Sequence, residues 1–214
     1  MKEGFNLNNV KPNSKREVIS LDDILGGSPE QLSGLEPVMY AYYKGLMERT
    51  IILNADIDTS ILEYAVLPLR RMAEDGTGKP IKLIISTYGG NVWDGFNLVD
   101  TIEKIKCPLI TQCEGISASM GTYILMAGKN NPNVHRVANK YSVGLLHSGS
   151  TTLDGAVDKI DDLYDFNKKY EDKIKQFVLD NSTMTSEFYD GLKRVEFWMS
   201  AEDMLKYGMI DEII

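Results

Sequence analysis

The chain is predicted to be an α/β protein. Short apolar runs of β type alternate with helical segments: Ile81–Ser86, Pro108–Glu114 and Tyr141–His147 read as strands, and Val92–Ile105 between the first two has helical periodicity. Glycines punctuate the strand-to-helix turns, as in Gly89-Gly90-Asn91 and Gly115-Ile116-Ser117-Ala118-Ser119-Met120-Gly121. A long amphipathic segment covers residues 152–180. Strands that alternate with helices imply parallel strands joined by right-handed crossovers.

Taken in order, residues 1–38 differ from the rest, being polar at the start, interrupted by Gly26-Gly27-Ser28-Pro29 and short of apolar anchors. They are expected to form an N-terminal arm, with residues 39–214 as the main domain. Tyr40–Met47 reads as a helix and Thr50–Leu53 as a short strand. Ser60–Ala73 is expected to be helical with Leu62, Val66, Leu69 and Met72 on one face. Met120–Ala127 is apolar all round, the pattern of a buried helix. In residues 152–180 the stripe is Leu153, Val157, Ile160, Tyr164, Ile174, Phe177 and Val178, interrupted at Asn167, with dense charge off it. Its apolar side could cover its own core or a partner chain. Ser200 is an N-cap followed by Glu202 and Asp203, Gly208 is the stop, and Met209–Ile214 is a final short strand.

The 214 residues are 43% hydrophobic and 25% charged, enough for one sizeable core. A formal net charge of −8 disfavours nucleic acid or an anionic membrane as partner. The two cysteines, Cys107 and Cys113, bracket an apolar run and read as buried thiols rather than a disulfide or metal pair. A reducing, cytoplasmic setting fits them. The start of the chain has no apolar signal core, and no run approaches 18 apolar residues. No metal or cofactor is expected.

The chemistry concentrates at Ser119. Gly115, Ala118 and Gly121 permit a tight turn that presents one hydroxyl where a strand gives way to a helix, whose positive end stabilises developing negative charge. Small residues at a turn also serve packing alone. The Gly89-Gly90 turn could turn backbone N–H groups toward a reacting carbonyl oxygen, forming an oxyanion hole with the Met120 N–H. His147, 28 residues after Ser119, ends an apolar strand and has the pKa range of a general base. His135 lies among Asn130, Asn131 and Asn133 and reads as a surface residue. A triad also needs an acid, and Asp154, Asp158, Asp161, Asp180, Asp190 and Glu196 all lie downstream.

Five segments in order resemble the proteolytic subunit of Clp protease, over about residues 48–214. Arg49-Thr50-Ile51-Ile52-Leu53 is similar to that family's entry strand and Thr87-Tyr88-Gly89-Gly90-Asn91-Val92 to its Ser-Pro-Gly-Gly-Ser-Val segment. Gly115–Gly121 resembles its nucleophile turn, Leu146-His147 its Ile-His pair, and Met199-Ser200-Ala201-Glu202-Asp203 with Tyr207-Gly208-Met209-Ile210-Asp211 its ending. The resemblance implies a crotonase-like ββα superhelix in which residues 152–180 form a handle helix. It implies Ser119 as nucleophile, His147 as base, and the Gly90 and Met120 N–H groups as oxyanion hole. The acid falls at Glu196, 49 residues after His147, where the family has aspartate; Asp190 is the fallback.

It also implies a homo-oligomer of two stacked heptamer rings, a tetradecamer, that takes peptide or unfolded protein with an ATPase unfoldase as partner. Tyr88 replaces the family's proline, and Ile84 and Lys104 fall where it has aromatic residues lining the ATPase-docking cleft.

The leading expectation is a serine endopeptidase. The alternatives are an inactive structural ring subunit, a crotonase-type acyl-CoA enzyme, or a Ser-Lys peptidase with Lys129 or Lys140 as base, as in bacterial signal peptide peptidases of related fold.

Overall fold

The computed structural model describes residues 26–27, 32, 34–149, 156–192 and 195–214. Most of the expected arm, residues 1–38, and the first turns expected for the long helix lie outside them. Among the described residues are seven strands: β1 (Thr50–Leu53), β2 (Ile81–Thr87), β3 (Leu109–Ala118), β4 (Val134–Ala138), β5 (Val143–Leu146), β6 (Phe197–Ser200) and β7 (Glu212–Ile213). The helices are α1 (Pro37–Met47), α2 (Leu67–Glu74, entered through a π-helical turn Leu62–Val66), α3 (Val92–Glu103), α4 (Met120–Met126), α5 (Val157–Asp180), α6 (Ser186–Gly191) and α7 (Ala201–Lys206).

The strands form one mixed sheet, mostly parallel. Its main path runs β1-β2-β3-β4-β7, every neighbouring pair parallel. The alternation of strand and helix read from the sequence therefore gives the expected α/β arrangement. β3 serves two neighbours in turn: Leu109–Cys113 pair with β4, and Ile116–Ala118 pair with β5. The change of partner falls at Gly115, whose φ of +81° suits glycine. Ser142 Oγ holds the bend, accepting from Gly115 N–H at 3.1 Å and donating to the Cys113 carbonyl at 2.9 Å. A bulge in the β2–β3 register lies between the Ile85↔Cys113 and Thr87↔Ser117 pairs. β6 then closes this part of the sheet antiparallel to β5.

The core is built from alternate residues of β2 (Ile81, Leu83, Ile85) and from all seven residues of α4. In the segment before α2 the expected face is rephased. Val66, Leu69 and Met72 are buried, but Leu62 is 39% exposed and Ile61 packs inward instead. The wider π turn over Leu62–Val66 inserts extra rotation, so the period of 3.6 cannot be extrapolated back through it. Cys107 and Cys113 are both free and buried, and burial pushes the Cys113 thiol up to about 11. α5 is long, as expected, and on its described part only Val178 is fully buried. Ile174 and Phe177 pack against the core, while Val157, Leu163, Tyr164 and Phe166 are exposed. No helix among the described residues is long and apolar enough to cross a membrane.

Candidate active site

Ser119 stands between β3 and α4 in a conformation that L-residues avoid, φ +52° and ψ −121°. A side chain held there costs about 1–3 kcal/mol, and it persists only where the surroundings over-determine it. They do so here. The Ser119 N–H donates to the Leu145 carbonyl at 2.9 Å, tying the turn to β5. Thr122, one turn into α4, donates its hydroxyl to the Ser117 carbonyl at 2.5 Å and accepts from Leu145 N–H at 3.3 Å. The Ser119 carbonyl accepts from Thr122 N–H and Tyr123 N–H, which starts the helix. The hydroxyl is not used as a helix cap, and the side chain is only partly buried.

The Gly89-Gly90 turn packs directly against this serine. A Cβ built on Gly89 would lie 2.7 Å from the Ala118 carbonyl oxygen, 2.8 Å from Ser119 Cβ and 3.0 Å from Met120 N. The turn is bridged on its other side to Ile57: Ile57 N–H donates to the Gly89 carbonyl at 2.8 Å, and Asn91 N–H donates to the Ile57 carbonyl at 2.6 Å. In a trans peptide the C=O and the next N–H point oppositely. The Gly90 N–H therefore faces away from Ile57. Asn91 caps α3 by accepting from Trp93 N–H and Asp94 N–H. Gly89→Ala combines a φ of +103° with a clash against fixed backbone. It is expected to displace the serine turn with circular dichroism unchanged, and to slow any reaction at the Ser119 hydroxyl by about 100-fold, because a shift on the order of 1 Å at a reacting group has that effect.

β5 carries His147 at its end. Because Ala118 pairs with Leu145, the ends of β3 and β5 lie side by side, and Ser119 and His147 emerge from them at the same edge of the sheet. His147 borders a small pocket of about 20 Å³ with Tyr123, Leu146, Ser148, Tyr189 and Leu192. Burial, reinforced by the hydrogen-bonded Tyr189, holds the Tyr123 phenol far above its ordinary pKa, so it stays neutral.

The β5–β6 register runs from Val143↔Ser200 to Leu146↔Phe197. His147 and Glu196 are the next residues beyond that last pair. Glu196 is exposed, and its Oε2 accepts from the Trp198 indole N–H at 3.0 Å. No hydrogen bond links Ser119 Oγ, His147 and Glu196 to one another among the described residues. The fallback acid, Asp190, is ion-paired with Lys175 of α5 at 2.7 Å. Of the two lysines, Lys129 lies beyond the far end of α4 from Ser119 and donates to the Ser182 carbonyl. Lys140 lies over the Tyr141 ring, 5.4 Å from its centroid.

His135 belongs to β4 rather than to a loop. It is half exposed, as read from its polar surroundings, and 3.0 Å from a Glu212 carboxylate oxygen. The pairing of Trp198 with Glu196 escaped the sequence reading; its one signal was two polar-tipped residues at i and i+2 in a strand.

These features define a mixed α/β protein with a strained serine turn at the carboxyl ends of parallel strands. The chain belongs to the Clp protease family, whose profile matches residues 35–214. It is 29% identical over 170 residues to "ATP-dependent Clp protease proteolytic subunit 3" of Synechococcus sp. (strain CC9902), covering 78% of this chain and 83% of that protein. It is likewise 29% identical over 174 residues to "ATP-dependent Clp protease proteolytic subunit 2" of Prochlorococcus marinus (strain MIT 9312), covering 78% and 82%.

Proposed function

We propose that the chain is a serine endopeptidase in which Ser119 attacks the peptide carbonyl, His147 takes its proton and returns it to the leaving amine, and Glu196 orients His147. The Gly90 and Met120 N–H groups receive the oxyanion, and water then hydrolyses the acyl-enzyme. The observation that carries this reading is the backbone of Ser119: a non-glycine residue at φ +52°, set between a strand and a buried helix. A serine retained in a strained turn against a glycine pair is better explained by a reacting hydroxyl than by packing, which a glycine would serve at lower cost.

The peptidase domain in this reading is residues 39–214, preceded by the arm of residues 1–38, on a crotonase-like superhelix. α5 is the handle. Its exposed Val157, Leu163, Tyr164 and Phe166 are apolar surface that a second ring would cover, giving stacked heptamers around an enclosed chamber. Peptides and unfolded chains are then the substrates, delivered by an ATPase unfoldase, in keeping with the words "ATP-dependent" in the relatives' names. Ile84 and Lys104 stand where aromatic residues are expected at its docking cleft, which points to a modified partner surface.

A fluorophosphonate probe tests the nucleophile. The wild-type chain is expected to be labelled on Ser119 and Ser119→Ala not at all. Unchanged labelling of the variant would refute the assignment.

A further inference from the structure

The indole of Trp198 is held by one polar contact, and that contact is the acid of the proposed triad. Glu196 immediately precedes β6 and Trp198 is the strand's second residue, so the two side chains lie on one side of the chain. Across the ladder Trp198 pairs with Leu145, and His147 and Glu196 are each the next residue beyond its last pair, Leu146↔Phe197. The indole N–H reaches Glu196 Oε2 at 3.0 Å, and Oε1 has no hydrogen bond among the described residues. A glutamate here has one more rotatable bond than an aspartate, and an exposed side chain samples many rotamers. A donor fixed to one carboxylate oxygen removes much of that freedom and leaves the other oxygen for the imidazole across the strand.

We infer that Trp198 is a positioning residue, a clamp that holds the Glu196 carboxylate opposite His147. The inference rests on the peptidase reading above. Trp198 touches neither substrate nor reacting atoms; it acts through Glu196. Being 52% exposed, it has room for substitution without emptying the core.

Trp198→Phe keeps a ring and removes only the N–H donor. In the full-length assembled protein, hydrolysis of a short fluorogenic peptide is expected to show kcat lowered roughly tenfold with KM unchanged, the effect of one charge-assisted hydrogen bond. In a Glu196→Gln background Trp198→Phe should add nothing further. Glu196→Asp, whose shorter arm needs no clamp, should recover part of the activity in the Trp198→Phe background.

A folded-state measurement serves alongside the kinetics. The chain has only two tryptophans, so the Trp198 indole N–H resonance is assignable by its loss in Trp198→Phe. Its chemical shift should change in Glu196→Gln, which loses the charged acceptor of that hydrogen bond. If Glu196→Gln lowers kcat but Trp198→Phe does not, or if the two losses multiply, the clamp is overturned and the triad stands. If Glu196→Gln itself leaves the rate unchanged, the acid assignment fails and the clamp with it.

Discussion

Replacing His147 with alanine is expected to lower kcat/KM for a short peptide by about 10⁴-fold or more, with fluorophosphonate labelling of Ser119 slowed in step. A serine hydroxyl is a weak nucleophile without a base, and loss of one member of a Ser-His unit removes nearly all that the unit provides. The fold should survive, since His147 is only partly buried and sits at the edge of a small cavity rather than in the main core. The residual rate would come from the oxyanion donors and binding. A Ser-Lys enzyme would instead retain its activity in this variant. The positions of Lys129 and Lys140 argue against that outcome. One is bonded to the Ser182 carbonyl, and the other lies over a tyrosine ring. Retained peptidase activity in His147→Ala would overturn the base assignment directly.

The parts of this site that were legible in the sequence are those where local pattern and local geometry coincide. Ile81–Thr87 alternates buried and half-buried residues along a single strand, and the glycines around Ser119 mark the turn that follows β3. Residues 120–126, apolar throughout, became a fully buried helix. What stayed hidden depends on partners distant in the chain. Val134–Ala138 includes a histidine and an arginine and gives no apolar run, yet it is a strand, because Arg136 finds its counter-charge 75 residues later. β6 is four residues long and takes its place only by pairing with β5, so its existence does not show in a periodicity. α6 is one short turn-and-a-half with no buried residue, too brief for a helical stripe to register. Leu62 was misplaced for the opposite reason: the pattern there was clear, and a π turn changed its phase.

Arg136 is also where the largest loss of stability is expected. Its side chain is 2% exposed, and its guanidinium reaches three separate parts of the fold. It holds the Asp211 carboxylate through Nε at 3.1 Å and Nη2 at 2.5 Å, and it donates through Nη1 to the carbonyls of Met126 at 3.1 Å and Asn181 at 3.2 Å. Those carbonyls close the ends of α4, which begins at Ser119, and α5, so the arginine sets the serine helix against the long one. Arg136→Met fills most of the volume but strands two carbonyls and a carboxylate, and it should cost about 2–4 kcal/mol in urea unfolding at pH 7. Asp211 keeps about a third of its exposure, so water takes up part of the load and the cost stays below that of a fully buried pair. The pH dependence gives the sign. Burial alone would raise the Asp211 carboxyl, but the bonds from the Arg136 side chain and backbone outweigh it and hold the carboxyl below the usual range. A depressed carboxylate contributes stability above its unfolded value of about 3.9 and loses it as pH falls through the folded value. Without the guanidinium only the part due to the Arg136 backbone N–H and to His135 remains. The gap between wild type and Arg136→Met should therefore be widest near neutrality and narrow in acid, and a gap independent of pH would show that Arg136 acts through packing rather than through Asp211.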